Sequence, residues 1–75
     1  MRQYYTRSGK RVLRVQQSLT TLDYRVVSIA PGKIKTSFAS DAARPSWASS
    51  YRCYNKAQEE LDNYAKEHDL KAVHI

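Results

Sequence analysis

The chain is poor in the residues from which small proteins build staples and loops with chemistry. It has one cysteine in 75 residues, Cys53, so no disulfide can form within it. A lone thiol fits a reducing compartment, and the expected location is cytoplasmic. It has two glycines and two prolines, too few for a phosphate-cradling loop of the Walker or dinucleotide type. Ser46, Ser49 and Ser50 lack a Gly-x-Ser-x-Gly setting. No apolar run approaches the roughly 18 residues of a membrane span, so no membrane partner is expected. The start, Met1-Arg2-Gln3-Tyr4-Tyr5, is charged and has no apolar stretch of the kind a signal peptide needs.

The soft and imidazole ligands are equally few. Cys53, His68 and His74 match no zinc spacing, and a structural zinc site needs four ligands. Cys53 has no adjacent general base, and its expected role is that of a small apolar residue. His68 falls on an apolar helical stripe and reads as a core residue. Acidic residues are scarce as well, seven against thirteen Lys and Arg, and five of the seven lie on or beside one helix. The roles that an active site requires cannot be filled from this set, so the protein is expected to be no enzyme and to need no cofactor and no metal.

The residues present divide the chain into unlike parts. Seventy-five residues predict a single domain over 1–75, too short for a second core. Residues 1–40 form a basic, β-rich part with Val, Ile, Thr, Ser and Tyr. A connecting loop spans 41–53. A helix is expected over about 54–70, and 71–75 form a tail or a short last strand. Tyr54, Ala57, Leu61, Tyr64, Ala65 and His68 recur at helical spacing. Asn55 reads as the N-cap, with Gln58 three residues on as in a capping box. Asp69 opposes the helix dipole, so fraying is expected by Leu70.

Tyr24–Ile29 and Ile34–Phe38 flank Ala30-Pro31-Gly32-Lys33, which predicts a hairpin with a type II turn. Residues 11–19 fit both periods, but their β-branched residues favour a strand with Leu13 and Val15 inward. Tyr4 and Tyr5, before the Ser8-Gly9 turn signal, suggest an edge strand. Ala72–Ile75 suggests a return to the sheet, and a short helical turn is expected near Ser46. The fold class is therefore α+β: a small antiparallel meander of two to four strands, then one amphipathic helix packed on one face. The expected core is Leu13, Val15, Leu22, Val27, Ile29, Ile34, Phe38, Leu61, Tyr64, Ala65 and Val73.

Charge is the strongest functional signal. Residues 1–53 hold ten Lys and Arg against Asp23 and Asp41, a balance of +8, while residues 54–75 hold three against five, a balance of −2. A sheet covered by a helix on one face leaves the other to solvent, and Arg14 and Lys35 are expected to project there. The first reading is thus a non-enzymatic nucleic-acid-binding accessory protein. Arg11, Arg14, Arg25, Lys33 and Lys35 would contact phosphates, with Tyr4 or Tyr5 stacking on bases. The competing reading of the same charge is a solvated face that keeps the protein soluble. The second reading is a protein-interaction module or regulator, a homodimer included, that uses Trp47, Tyr51 and Arg52 in the aromatic 44–54 loop. Against it, Trp47 also fits as a cap on the open end of the core. A short sheet followed by an Ala57-Gln58-Glu59-Glu60-Leu61 helix is similar to many small accessory proteins, those encoded by mobile elements among them. The pattern transfers no residue roles.

Overall fold

Two six-residue strands form the spine of the computed structural model, which describes residues 2–74. Strand β1 is Tyr4–Tyr5, β2 is Val12–Gln17, β3 is Tyr24–Ile29 and β4 is Ser50–Tyr51. They form one antiparallel sheet in the order β1-β2-β3-β4, followed by the helix α1, Tyr54–Glu67. The α+β meander with one helix, read from the sequence, is the observed fold.

Local chemistry explains the turns. Thr6 O accepts from Gly9 N at 2.8 Å between β1 and β2. Gly9 has φ +73°, which glycine adopts without the Cβ clash that other residues meet. Val12 pairs with Ile29 and Gln17 with Tyr24, so β2 and β3 are hydrogen-bonded along their whole length. Their connection is closed by Ser18 N to Asp23 O at 2.7 Å and Leu22 N to Ser18 O at 2.9 Å. Leu22 takes φ 63° there and is 63% exposed.

The predicted hairpin of β3 with Ile34–Phe38 does not form. Pro31–Lys33 is a 3-10 turn closed by Lys33 N to Ala30 O at 3.0 Å, and residues 34–38 form a turn and bends. The reason is that β3 has no free edge for them. One edge is taken by β2, and the other by Ser50–Tyr51 at one end and by a bridge from Ser28 to Ala43 at the other. Ile34, Ala39 and Ala42 of this crossing loop instead pack over the sheet face opposite the helix.

The sheet is therefore covered twice. On the helix face, Leu13, Val15 and Val26 pack with Ala48, Ala57 and Leu61. On the loop face, Val12, Val27 and Ile29 pack with Ala39, edged by Tyr5, Ile34, Ala42 and Val73. Val12 and Val26 are fully buried although neither was in the expected core. Leu22 and Phe38 were in it, and both are exposed, Phe38 at 42%. Ile34, Tyr64 and Val73 are half-buried.

The helix begins at Cys53, whose backbone is extended and whose side chain makes no capping bond. Asn55 lies inside the first turn and is not the cap. The helix ends at His68, where Asp69 turns left-handed at φ 53°. Leu70 N reaches back to Ala65 O at 2.9 Å, and Asp69 N to Lys66 O at 3.4 Å, the two bonds of a Schellman stop. Asp tolerates this backbone better than most residues, so Asp69 ends the helix in defined geometry rather than by fraying. Leu70 then folds back onto the helix-face core.

Beyond it, Val73 N bonds Gln3 O at 2.8 Å and Tyr5 N bonds Lys71 O at 2.9 Å. Of the predicted last strand only Ala72 makes a bridge, to Tyr4, and Ile75 lies outside the described residues. No helix among the described residues is long and apolar enough to cross a membrane.

Candidate nucleic-acid interface

The cations expected to line an open sheet face have other occupations. Arg11 donates from Nε to Ser28 Oγ at 2.8 Å and from Nη2 to Ser28 O at 2.6 Å, and its Nη1 pairs with Asp41 Oδ2 at 3.1 Å. Lys33 Nζ lies 3.7 Å from Asp41 Oδ1. Asp41 Oδ2 also accepts from Ala30 N at 2.8 Å. Burial works to raise the Asp41 carboxyl, but the Ala30 amide, Lys33 and Arg11 outweigh it and hold it below the usual carboxylate range. Asp41 thus pins the crossing loop to the sheet, and two expected phosphate ligands are its partners.

Arg14 was expected to face solvent. It is only 3% exposed, because the crossing loop covers it. Its Nη2 donates to Gln16 Oε1 at 2.7 Å and to Ser37 O at 3.2 Å, while its Nε has no hydrogen-bond partner. Burial pushes its guanidinium below the ordinary arginine range. Of the five cations, Arg25 is half-buried and Lys35 is exposed. Among the described residues, Arg11 and Lys33 are thus paired with Asp41 and Arg14 is buried under the crossing loop.

Tyr4 and Tyr5 are also engaged. Tyr4 packs on the helix-face core and donates its hydroxyl to Asp62 Oδ1 at 2.8 Å. Burial first, and that carboxylate second, raise its pKa. Tyr5 edges the loop-face core. Asp62 receives Arg2 Nη2 at 2.5 Å and Gln58 Nε2 at 3.0 Å as well. Burial works to raise the Asp62 carboxyl, and these three donors outweigh it, so the group sits below its ordinary value. The Gln58 predicted for a capping box is in this cluster instead, also donating to Arg2 O at 3.1 Å.

The aromatic loop residues fare differently. Tyr51 is in β4 and donates to Glu60 Oε2 at 2.9 Å, a bond that raises its pKa. Arg52 is exposed. Trp47 stands in the single turn at residues 46–47, closed by Ala48 N to Pro45 O at 3.1 Å. Its ring stacks on Tyr64 with centroids 3.9 Å apart and planes 10° from parallel. Tyr64 in turn meets His68 at 4.2 Å and 35°. The helix supplies this second pair because positions four apart lie one above the other.

The three-ring column forms one wall of a groove of about 580 Å³. Its apolar lining includes Leu13, Pro45 and Leu70, and Arg7 and Arg44 also line it. Among the described residues no carboxylate lines it. Arg44 is anchored by Nε and Nη2 on Ala48 O, at 3.1 and 2.8 Å, which leaves Nη1 without a protein partner there. Thr6 and Arg7 come from the β1–β2 connection.

Sequence reasoning named Trp47 but placed Tyr64 and His68 in the core stripe and passed over Arg7 and Arg44. The 64/68 spacing was a usable signal for a ring pair. Nothing in the sequence placed Arg7 beside it. Among the described residues no group of three or more His, Cys, Asp or Glu is placed to hold a metal ion. The class defined by these features is a small α+β fold bearing one aromatic, cation-rimmed groove. Comparison of the chain with family models, curated proteins and solved structures returned no match.

Proposed function

We propose that the protein is a binding module, not an enzyme, and that it takes single-stranded nucleic acid in the groove beside Trp47. The observation that carries this reading is the Trp47–Tyr64–His68 column flanked by Arg7 and Arg44. A half-buried Trp leaves a stacking surface for an unpaired base. Two arginines with no carboxylate beside them in the groove supply the field that draws a phosphate backbone. The volume suits a base-sized group, being within the roughly 300–1,000 Å³ of ordinary ligand pockets. A duplex keeps its base faces stacked inside and cannot offer them to such a wall.

Trp47 is the only tryptophan, so its emission reports on the groove directly. Titration with short single-stranded DNA and RNA is expected to quench it, and matched duplexes are expected to bind more weakly. The affinity should fall with salt at a slope of about −0.7 per phosphate engaged. Trp47→Ala, followed with a labelled oligonucleotide, should cost about 1–3 kcal/mol of binding. No binding of any single strand at low salt overturns the reading.

The protein-partner reading keeps one specific support, the half-buried Trp47 and the exposed Arg52 within one short segment of the chain. Light scattering that finds a mass twice that of the chain, lost in Trp47→Ala, would move the balance to a homodimer.

A further inference from the structure

Three large apolar side chains among the described residues are exposed: Leu19 at 73%, Leu22 at 63% and Phe38 at 42%. They are not scattered. Leu19 and Phe38 line one hollow of about 420 Å³, together with Ala39 and Ala42. Leu22 belongs to the same turn as Leu19, and its amide bonds the carbonyl of Ser18, another residue of the hollow, at 2.9 Å. None of these residues lines the Trp47 groove. Apolar side chains exposed singly are ordinary, whereas a contiguous group of them marks a contact surface.

The backbone adds a second observation. Leu22 holds φ 63°, a left-handed conformation that costs a residue with a Cβ about 1–2 kcal/mol. Its side chain is exposed, so burial within the chain offsets little of that strain. A strained position that the fold itself does not explain points to a contact made outside it.

Charge decides the partner. The protein carries +6, and 27% of its residues are charged, so two copies repel in most orientations. Among the described residues that line the hollow, none is charged. Lys33, which reaches Ser40 Oγ at 3.5 Å on the rim, is already paired with Asp41. Beside Leu22 the chain carries Asp23 and Arg25, one charge of each sign. A neutral patch offers nothing to a nucleic acid or to an acidic protein, but it lets two like-charged copies touch. The patch also suits itself in shape, since Leu22 projects next to a hollow walled by Ala39 and Ala42. A twofold contact sets each projecting leucine against the hollow of the other copy.

We propose that this patch is a self-association surface and that the protein forms a twofold dimer through Leu19, Leu22 and Phe38. The pairing adds the support that a 75-residue core without a disulfide lacks. It uses no residue of the Trp47 groove, so it stands or falls independently of the nucleic-acid reading.

Sedimentation equilibrium of the intact chain tests it between about 5 μM and about 1 mM, the range in which so small a contact dissociates. The mass should double across that range. Salt should strengthen the dimer, because it screens the repulsion between two cationic chains, whereas it weakens any binding to phosphates. Leu19→Asp and Phe38→Asp should each weaken association about tenfold or more, by burying an unpaired charge in the contact. Their circular dichroism should stay unchanged, since both side chains are exposed in the single chain. Leu22→Gly should relax the turn and remove the projecting side chain, so it weakens association while the monomer gains stability. Trp47→Ala should leave the dimer intact. A chain that stays monomeric over the whole range overturns the proposal, and so does a dimer that Trp47→Ala dissolves and Leu19→Asp does not. A monomer that binds phosphatidylcholine–phosphatidylserine vesicles through Phe38 overturns it in favour of a membrane surface.

Discussion

The two faces of the sheet are covered by unlike materials. The helix covers one with Ala57, Leu61 and Ala65, all buried, and among its polar contacts Gln58 and Asp62 bond Arg2 and Tyr4 at the β1 end. A loop covers the other, over Val12, Val27 and Ile29, and it traps Arg14 and Gln16 in the same layer. Helix side chains project at a fixed period, so a single stripe closes a face without leaving backbone groups bare. A loop has bare backbone groups, and here they are bonded individually: Ala30 N to Asp41, Ala39 N to Gln16 and Ser37 O to Arg14. Polar side chains inside the loop-covered layer are the means by which irregular backbone can be buried at all.

Mutations can break this comparison. The largest loss is expected at the helix face: Leu61→Ala should cost about 2–5 kcal/mol in a urea titration. Ile29→Ala on the loop face should lie in the same range, toward its lower end. A cost below about 1 kcal/mol there would mean that the loop does not pack as a core wall. Acid should act next, on the loop through Asp41 and on the helix through Asp62. Asp41 and Asp62 are both held below the ordinary carboxylate value of 3.8. Their stabilisation is full above that value and is lost as pH falls through it and further, through the lower folded-state values. Asp41→Asn should flatten the acid limb of stability against pH and raise hydrogen exchange at Ala30. An unchanged acid limb would show that the loop is held by packing alone.

Smaller effects sharpen the contrast. Arg14→Met replaces a desolvated charge with an apolar chain of similar length, and should change stability by no more than about 1 kcal/mol in either direction. A loss above 2 kcal/mol would make Arg14 a structural keystone of the loop face. Leu22→Gly should stabilise by about 0.5–1 kcal/mol, because Leu22 gains little burial and carries a left-handed backbone.

This contrast also explains what could be read from the sequence. The helix was visible because a period of 3.6 is written into Tyr54–Glu67, and β1, β2 and β3 because β-formers at Tyr4–Tyr5, Val12–Gln17 and Tyr24–Ile29 stand beside turn signals. The crossing loop has no period. Ile34, Thr36 and Phe38 alternate like a strand, and only the saturated edges of β3 show that they cannot pair. With the loop misread, Val12 had no reason to be buried and Arg14 had every reason to be exposed. Two cations of the leading site, Arg11 and Lys33, were likewise counted without their acid. Asp41 lies thirty positions from Arg11 in the chain, and only folding brings them together. The groove was half legible: Trp47 and the Tyr64/His68 spacing are local facts, whereas Arg7 arrives from a distant turn.

The pairing of residues 3–5 with residues 71–73 has a further use. Gln3 and Val73 are joined by a backbone hydrogen bond in antiparallel array, so the two ends of the described chain leave from the same spot. A short peptide spliced between them would close the backbone into a ring with no rearrangement of the sheet, and the exposed turn at Gly9 could then be cut to make new ends. Anything fused to either end would share one exit from the molecule.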